Sequence, residues 1–235
     1  MNELVSLYKQ LGFVDFYNLI QSNRKLNETE FIQSDRLLLG LDFVNVTPSS
    51  LIECNDGDIR IDVPVWFGDI EKAKNKIIVF GLEPRDTNSS FNIERINNMV
   101  YATPFGVDRW NEQSTIMRKP QNKYFRVFND LVNNESNFVL FSDVVKDYSV
   151  SSKLNENRKN DEIARKHFFE KATGSLDFLK EEIDTIQPTL IITLGFDSYN
   201  FIKSNFKNQK VIKLRHPANG GERLALERLN SLFKI

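Results

Sequence analysis

Four apolar runs, each ending in a short polar string, constrain this chain more than any other feature: IIVFGLEPRD at 77–86, FVLFSDVVK at 138–146, LIITLGFDS at 190–198 and VIKLRHPAN at 211–219. Unbroken runs of β-branched and aromatic residues, without polar alternation, are the pattern of strands buried on both faces, as in parallel sheets covered by helices. Open α/β sheets bind their ligands beyond the carboxyl ends of the strands. The four polar tips are therefore predicted to converge on one site.

The segments between the runs carry helical signals. A helix is predicted over about 122–133, and another region over 161–186 holds four-apart pairs (Asp161 to Arg165, Glu162 to Lys166) and the stripe Leu176, Leu179, Ile183, Ile186, ending at Gln187 before Pro188. Asp197 is placed to cap a helix with Tyr199, Ile202 and Phe206 facing inward, and Ala225, Leu229 and Leu232 share one side of a last helix. Strand and helix alternate throughout this half, which predicts a three-layer α/β/α fold with a four-stranded parallel core sheet. Residues 71–235 are assigned to this α/β domain, and 1–70 to an N-terminal extension packed on it. In the extension, Leu4, Leu7 and Leu11 mark a helix within 3–22 and a second helix covers 28–38, while the turn NDGD at 55–58 joins LIEC to IRIDVPVWF in an edge hairpin. Residues 86–120, with Pro104, Gly106 and Pro120 among many Asn and Ser, are read as a long loop around a short helix, and the polar stretch 149–161 as an exposed loop.

Composition narrows the functional classes. With 235 residues and 40% hydrophobic content the chain can bury a substantial core, which excludes disordered and fibrous classes. No eighteen apolar residues run together, and Glu3, Lys9 and Asp15 break up the first twenty, so neither a membrane span nor a signal peptide is expected and a soluble, cytoplasmic protein is. A single cysteine, Cys54, permits no internal disulfide and no cysteine-built cluster, and with only His167 and His216 no metal is implied. Lys and Arg total 31 against 32 Asp and Glu, a net charge of −1, so any phosphate contact must be local. RKPQNKYFR at 118–126 is such a candidate, with Arg118, Lys119, Lys123 and Arg126 interleaved with Tyr124 and Phe125; a solvated helix start explains it equally well.

GLEPR after the first strand, SDVVK after the second and HPAN after the fourth resemble, in order and spacing, the motifs of the uracil-DNA glycosylase superfamily over about residues 75–235. That resemblance implies the family's fold, DNA repair by base excision, a monomer acting on single- or double-stranded DNA, and no cofactor. A stacked base must be extruded into a pocket before it can be attacked. Breaking the N-glycosidic bond then builds positive charge on the sugar and negative charge on the base, which a carboxylate and a hydrogen-bond donor complement. By the same resemblance Glu83, with Asp86 as a second carboxylate, orients the water, and His216 as neutral imidazole donates to O2 of the leaving base. Phe105 in TPFG stacks on the base, while Gly81 and Pro84 line the pocket; Arg85 stands there in place of the family's Gly or Tyr, either to meet a phosphate or to obstruct the pocket. Arg118, Lys119, Lys123, Arg215, Asn219 and Arg223 are the expected DNA contacts, although no bulky wedge follows His216-Pro217.

Asp143 departs from the family pattern, standing where an Asn reads uracil. An ionised Asp only accepts hydrogen bonds. It suits an amino-bearing base and would repel uracil O4 unless protonated. Two further classes stay open: a catalytically inactive nucleic-acid- or protein-binding module on the same fold, favoured by the near-neutral charge, and a nucleotide-binding α/β protein, for which GLEPRD supplies only one glycine.

Overall fold

The computed structural model describes residues 59–62, 64–83, 92–96, 99–102, 104–105, 119–149 and 161–233. The predicted helices within 3–22 and 28–38, the strand LIEC with Cys54, and Pro84, Arg85, Asp86 and Arg118 lie outside them.

In chain order the strands are β1 (Ile59–Asp62), β2 (Val65–Phe67), β3 (Asn75–Gly81), β4 (Asn92–Ile96), β5 (Met99–Ala102), β6 (Asn137–Asp143), β7 (Asp147–Ser149), β8 (Leu190–Leu194) and β9 (Val211–Leu214). The helices are α1 (Lys119–Asn133), α2 (Asp161–Gly174), α3 (Leu176–Ile186), α4 (Phe196–Asn205) and α5 (Glu222–Phe233). Five strands form a mixed sheet in the order β2-β6-β3-β8-β9. Its four apolar runs pair in parallel (β6 with β3, β3 with β8, β8 with β9), and β2 adds an antiparallel edge against β6. Because β3 is central, its residues 77–80 are shielded on both faces, which is why the run tolerates no polar residue.

Alternation along the strands sends side chains to two different sets of helices. Ile77, Val79, Val139 and Phe141 share a core with Tyr124, Val127, Phe128 and Leu131 of α1 and Ala225 and Leu229 of α5. The intervening Ser142 is bonded instead to Glu182 of α3. Apolar spacing of three and four residues gives α1 its buried stripe, and Pro120 fits its first turn, where a missing N–H costs nothing.

Several local expectations are corrected. The helical region 161–186 is two helices, broken at Ser175, whose Oγ accepts the Lys146 N–H and bonds the Lys171 carbonyl rather than capping α3. Gly195, not Asp197, occupies the cap of α4; its φ of +99° suits glycine, and Asp197 lies in the first turn, where a carboxylate complements the helix dipole. IRIDVPVWF is not one hairpin arm. It divides around Pro64, which lacks a ladder donor, so that β2 joins the mixed sheet and β1 joins a second one. That second sheet has the order β4-β5-β1-β7, with β1 parallel to β5 and antiparallel to β7. It places strands β4 and β5 where a loop around a short helix is expected, and ends β7 at Ser149, the first residue of the expected polar loop. Ile59 pairs with Met99 and Ser149, partners so distant in sequence that no local pattern announces them.

Candidate functional site

β3 and β6 end side by side, Gly81 opposite Asp143, and alternation points both residues toward α1 and α5. A Cβ on Gly81 would overlap the Asp143 carboxylate and lie 3.0 Å from Phe105 Cζ, so only glycine leaves room for both side chains to approach this strand end. Asp143 is 4% exposed. Phe105 is held in the left-handed region (φ +60°), unusual for a bulky residue. Its ring is stacked on Tyr124 at 4.5 Å and meets Phe141 edge-on at 6.4 Å. Tyr124, one turn into α1, carries the chain of contacts onward: its hydroxyl is 3.0 Å from Nε2 and 3.4 Å from Nδ1 of His216. His216 follows β9 in an extended conformation and leads into the 3-10 turn Pro217–Asn219.

Gly81, Asp143, Phe105 and His216 thus form a connected series through Tyr124, which the sequence offered only as part of a basic segment. One face of Phe105 is covered by Tyr124. Glu83 lies two residues beyond β3 at 7% exposure, on backbone held by Val144 N–H to Gly81 O (3.4 Å) and Val145 N–H to Leu82 O (3.1 Å).

The expected phosphate contacts are not equivalent. Arg215 is exposed beside His216, and Lys123 is half-buried on α1. Arg223 is exposed, but its guanidinium is 2.9 Å from Glu227. Arg126 is engaged by Glu222 at 2.5 Å, which ties α1 to α5 and holds the Glu222 carboxyl below the usual carboxylate range. Lys119 opens α1 and Asn219 closes the 3-10 turn.

A second constellation, absent from the sequence reading, lies on the other face of β6. Lys146 Nζ is 3.3 Å from Asp62 Oδ2 and 3.1 Å from Glu182 Oε2, and it also contacts Ser142 Oγ. Ser142 Oγ reaches both carboxylates, at 3.0 and 3.1 Å. Asp62, Ser142 and Glu182 are fully shielded from solvent. The Asp143 amide donates to Asp62 Oδ2 at 2.9 Å, and the Asp62 amide donates to the Lys146 carbonyl at 2.8 Å. Asp62 Oδ1, by contrast, meets no donor among the described residues. Burial is the largest influence on Asp62 and lifts its carboxyl to about 6; Lys146, the Asp143 amide and the Ser142 hydroxyl oppose the rise, and Glu182 adds to it. One signal for this cluster was present in the sequence: Glu182 interrupts the stripe Leu179, Ile183, Ile186, and a charge within a buried stripe needs a partner.

Among the described residues, no group of three or more His, Cys, Asp or Glu is arranged to hold a metal ion, and no helix is long and apolar enough to cross a membrane. No protein-family model matches the chain, and no curated protein is significantly similar to it.

Proposed function

We propose that this chain is a divergent uracil-DNA-glycosylase-like α/β/α domain that takes one extruded nucleobase at the carboxyl ends of β3, β6 and β9 and hydrolyses its N-glycosidic bond. The observation that carries this reading is the series Gly81, Asp143, Phe105, Tyr124, His216, which puts an acceptor, an aromatic ring and an imidazole from separate parts of the chain side by side. Four parallel-paired strands deliver this end of the sheet, in keeping with where open α/β folds bind ligands.

In the proposed reaction the base stacks against Phe105 and offers an exocyclic amino group to the Asp143 carboxylate. Glu83 orients the attacking water and offsets the positive charge of the sugar as the bond to the base breaks. His216 donates a hydrogen bond to the departing base, and the Tyr124 hydroxyl, 3.0 Å from Nε2 and 3.4 Å from Nδ1, holds the ring in place for that task. Arg215, exposed next to His216, supplies a local contact for the DNA backbone in a chain of net charge −1.

A second reading, a non-catalytic base- or strand-binding module, is favoured by one observation: Tyr124 already engages both the Phe105 face and the His216 ring. One assay separates the two. The protein is incubated with single- and double-stranded oligonucleotides carrying uracil, hypoxanthine, xanthine or unmodified bases, and abasic sites are scored. Base release that falls at least about 100-fold in Glu83→Gln and His216→Ala supports the hydrolase. Release that survives both substitutions removes these roles, and salt-dependent retention of DNA without release supports the binding module.

A further inference from the structure

We infer that Asp62 is a positioning residue for Asp143: from the far side of the sheet its carboxylate grips the Asp143 amide and fixes the end of β6 that presents the base-reading side chain. This deepens the reading of Asp143 given above and rests on it for the functional consequence, but the positioning itself is a property of the fold.

The geometry is specific. Pairing with β2 reaches Phe141, and beyond it the tip of β6 keeps β3 as its strand partner among the described residues. Asp62 Oδ2 supplies the missing support by accepting the Asp143 N–H at 2.9 Å and the Ser142 hydroxyl at 3.0 Å, binding two consecutive residues of the tip. Asp62 is itself anchored: its own amide donates to the Lys146 carbonyl at 2.8 Å, and Lys146 Nζ lies 3.3 Å from the same Oδ2. Glu182 on α3 holds Lys146 from behind at 3.1 Å. The tip is thereby clamped to β1 and α3, while the Asp143 side chain projects the other way, over Gly81 and beside Phe105. A backbone displacement of about 1 Å at Asp143 would carry its carboxylate off a bound base, a scale of misplacement that costs orders of magnitude in rate.

Burial of Asp62 and Glu182 around Lys146 is not explained by stability alone, since an apolar cluster of equal volume is often as stable or more so. A support role predicts which bonds matter. Asn at position 62 keeps an oxygen for the Asp143 amide, whereas Ala has none.

The test is amide hydrogen exchange on the intact protein, comparing Asp143 with Val139, which sits inside the paired part of the same strand between Phe67 and Ile77. In Asp62→Ala, exchange at Asp143 should rise at least about tenfold relative to Val139 under conditions where local opening dominates, and in Asp62→Asn it should stay within about threefold of the unmodified protein. Equal acceleration at both amides in Asp62→Ala, or loss of protection at Asp143 in Asp62→Asn with none at Val139, would overturn the inference. Should Asp62→Ala not fold, the Asp62→Asn comparison still decides, through the latter outcome. The functional arm measures base release or base affinity: Asp62→Ala should weaken it at least about tenfold in the native background and have no such effect in Asp143→Ala. If the unaltered protein neither binds nor releases any base, the glycosylase reading falls while the exchange result stands by itself.

Discussion

Lys146→Met removes an ammonium that lies between two carboxylates fully shielded from solvent and over the Phe80 and Phe178 rings, and keeps a side chain of similar length. In the native protein Lys146 stands 3.3 Å from Asp62 and 3.1 Å from Glu182, and both acids also share the Ser142 hydroxyl. Deleting one partner of a buried pair costs about 3–5 kcal/mol, because the remaining charge stays uncompensated. With a urea dependence of about 2–3 kcal/mol per molar, the unfolding midpoint should fall by about 1–2 M near neutral pH. Two controls separate charge from packing. The loss should shrink as pH is lowered to about 5, where the Asp62 carboxyl, lifted by burial, takes up a proton. The uncharged triple variant Asp62→Asn, Lys146→Met, Glu182→Gln should recover at least half of the loss, because no buried charge is left to balance. A loss below about 1 kcal/mol, or one that is equally large at both pH values, would refute the claim that this ammonium neutralises buried acids.

Three other outcomes follow from the same structure. Asp62 titrates near 6 when folded against an ordinary 3.8, so the folded state binds its proton more tightly; the associated stability is complete below about 3.8 and is lost as pH rises through about 6. The gap corresponds to an order of magnitude of about 3 kcal/mol, and the stability difference between native protein and Asp62→Asn, followed by urea unfolding across that range, should show the fall. Gly68→Ala should lower stability by at least about 2 kcal/mol, read as a drop in melting temperature, because Gly68 has φ +86° and its new methyl would strike the Asn137 carbonyl. Tyr124→Phe keeps the stack on Phe105 but loses the hydroxyl 3.0 Å from His216, and should cost about 1 kcal/mol in chemical unfolding while altering the His216 ring resonances.

The strands that deliver the candidate site were legible because burial on both faces writes itself into consecutive residues: 77–80 and 138–141 contain no polar side chain. Helices α1, α3 and α5 were legible from three- and four-residue apolar spacing. Strands β1, β4, β5 and β7 were not, since each is short and its pairing reaches across the chain, as Ile59 does to Met99. Asp143, Phe105 and His216 were picked out by motif and strand-end position; Tyr124, which joins two of them, looked like any aromatic in a basic helix start.

Sequence by itself determined the parallel-paired strands, their polar tips and the helices that flank them, because these follow from hydrophobic periodicity, which is local. Only the tertiary structure decided that Asp62, Ser142, Lys146 and Glu182 meet beneath the tip of β6, and that Tyr124 bridges Phe105 and His216. A buried charge is tolerated only where its partner lies in space; Glu182 within an apolar stripe shows that a partner is needed, but the order of residues 62, 146 and 182 along the chain does not say which.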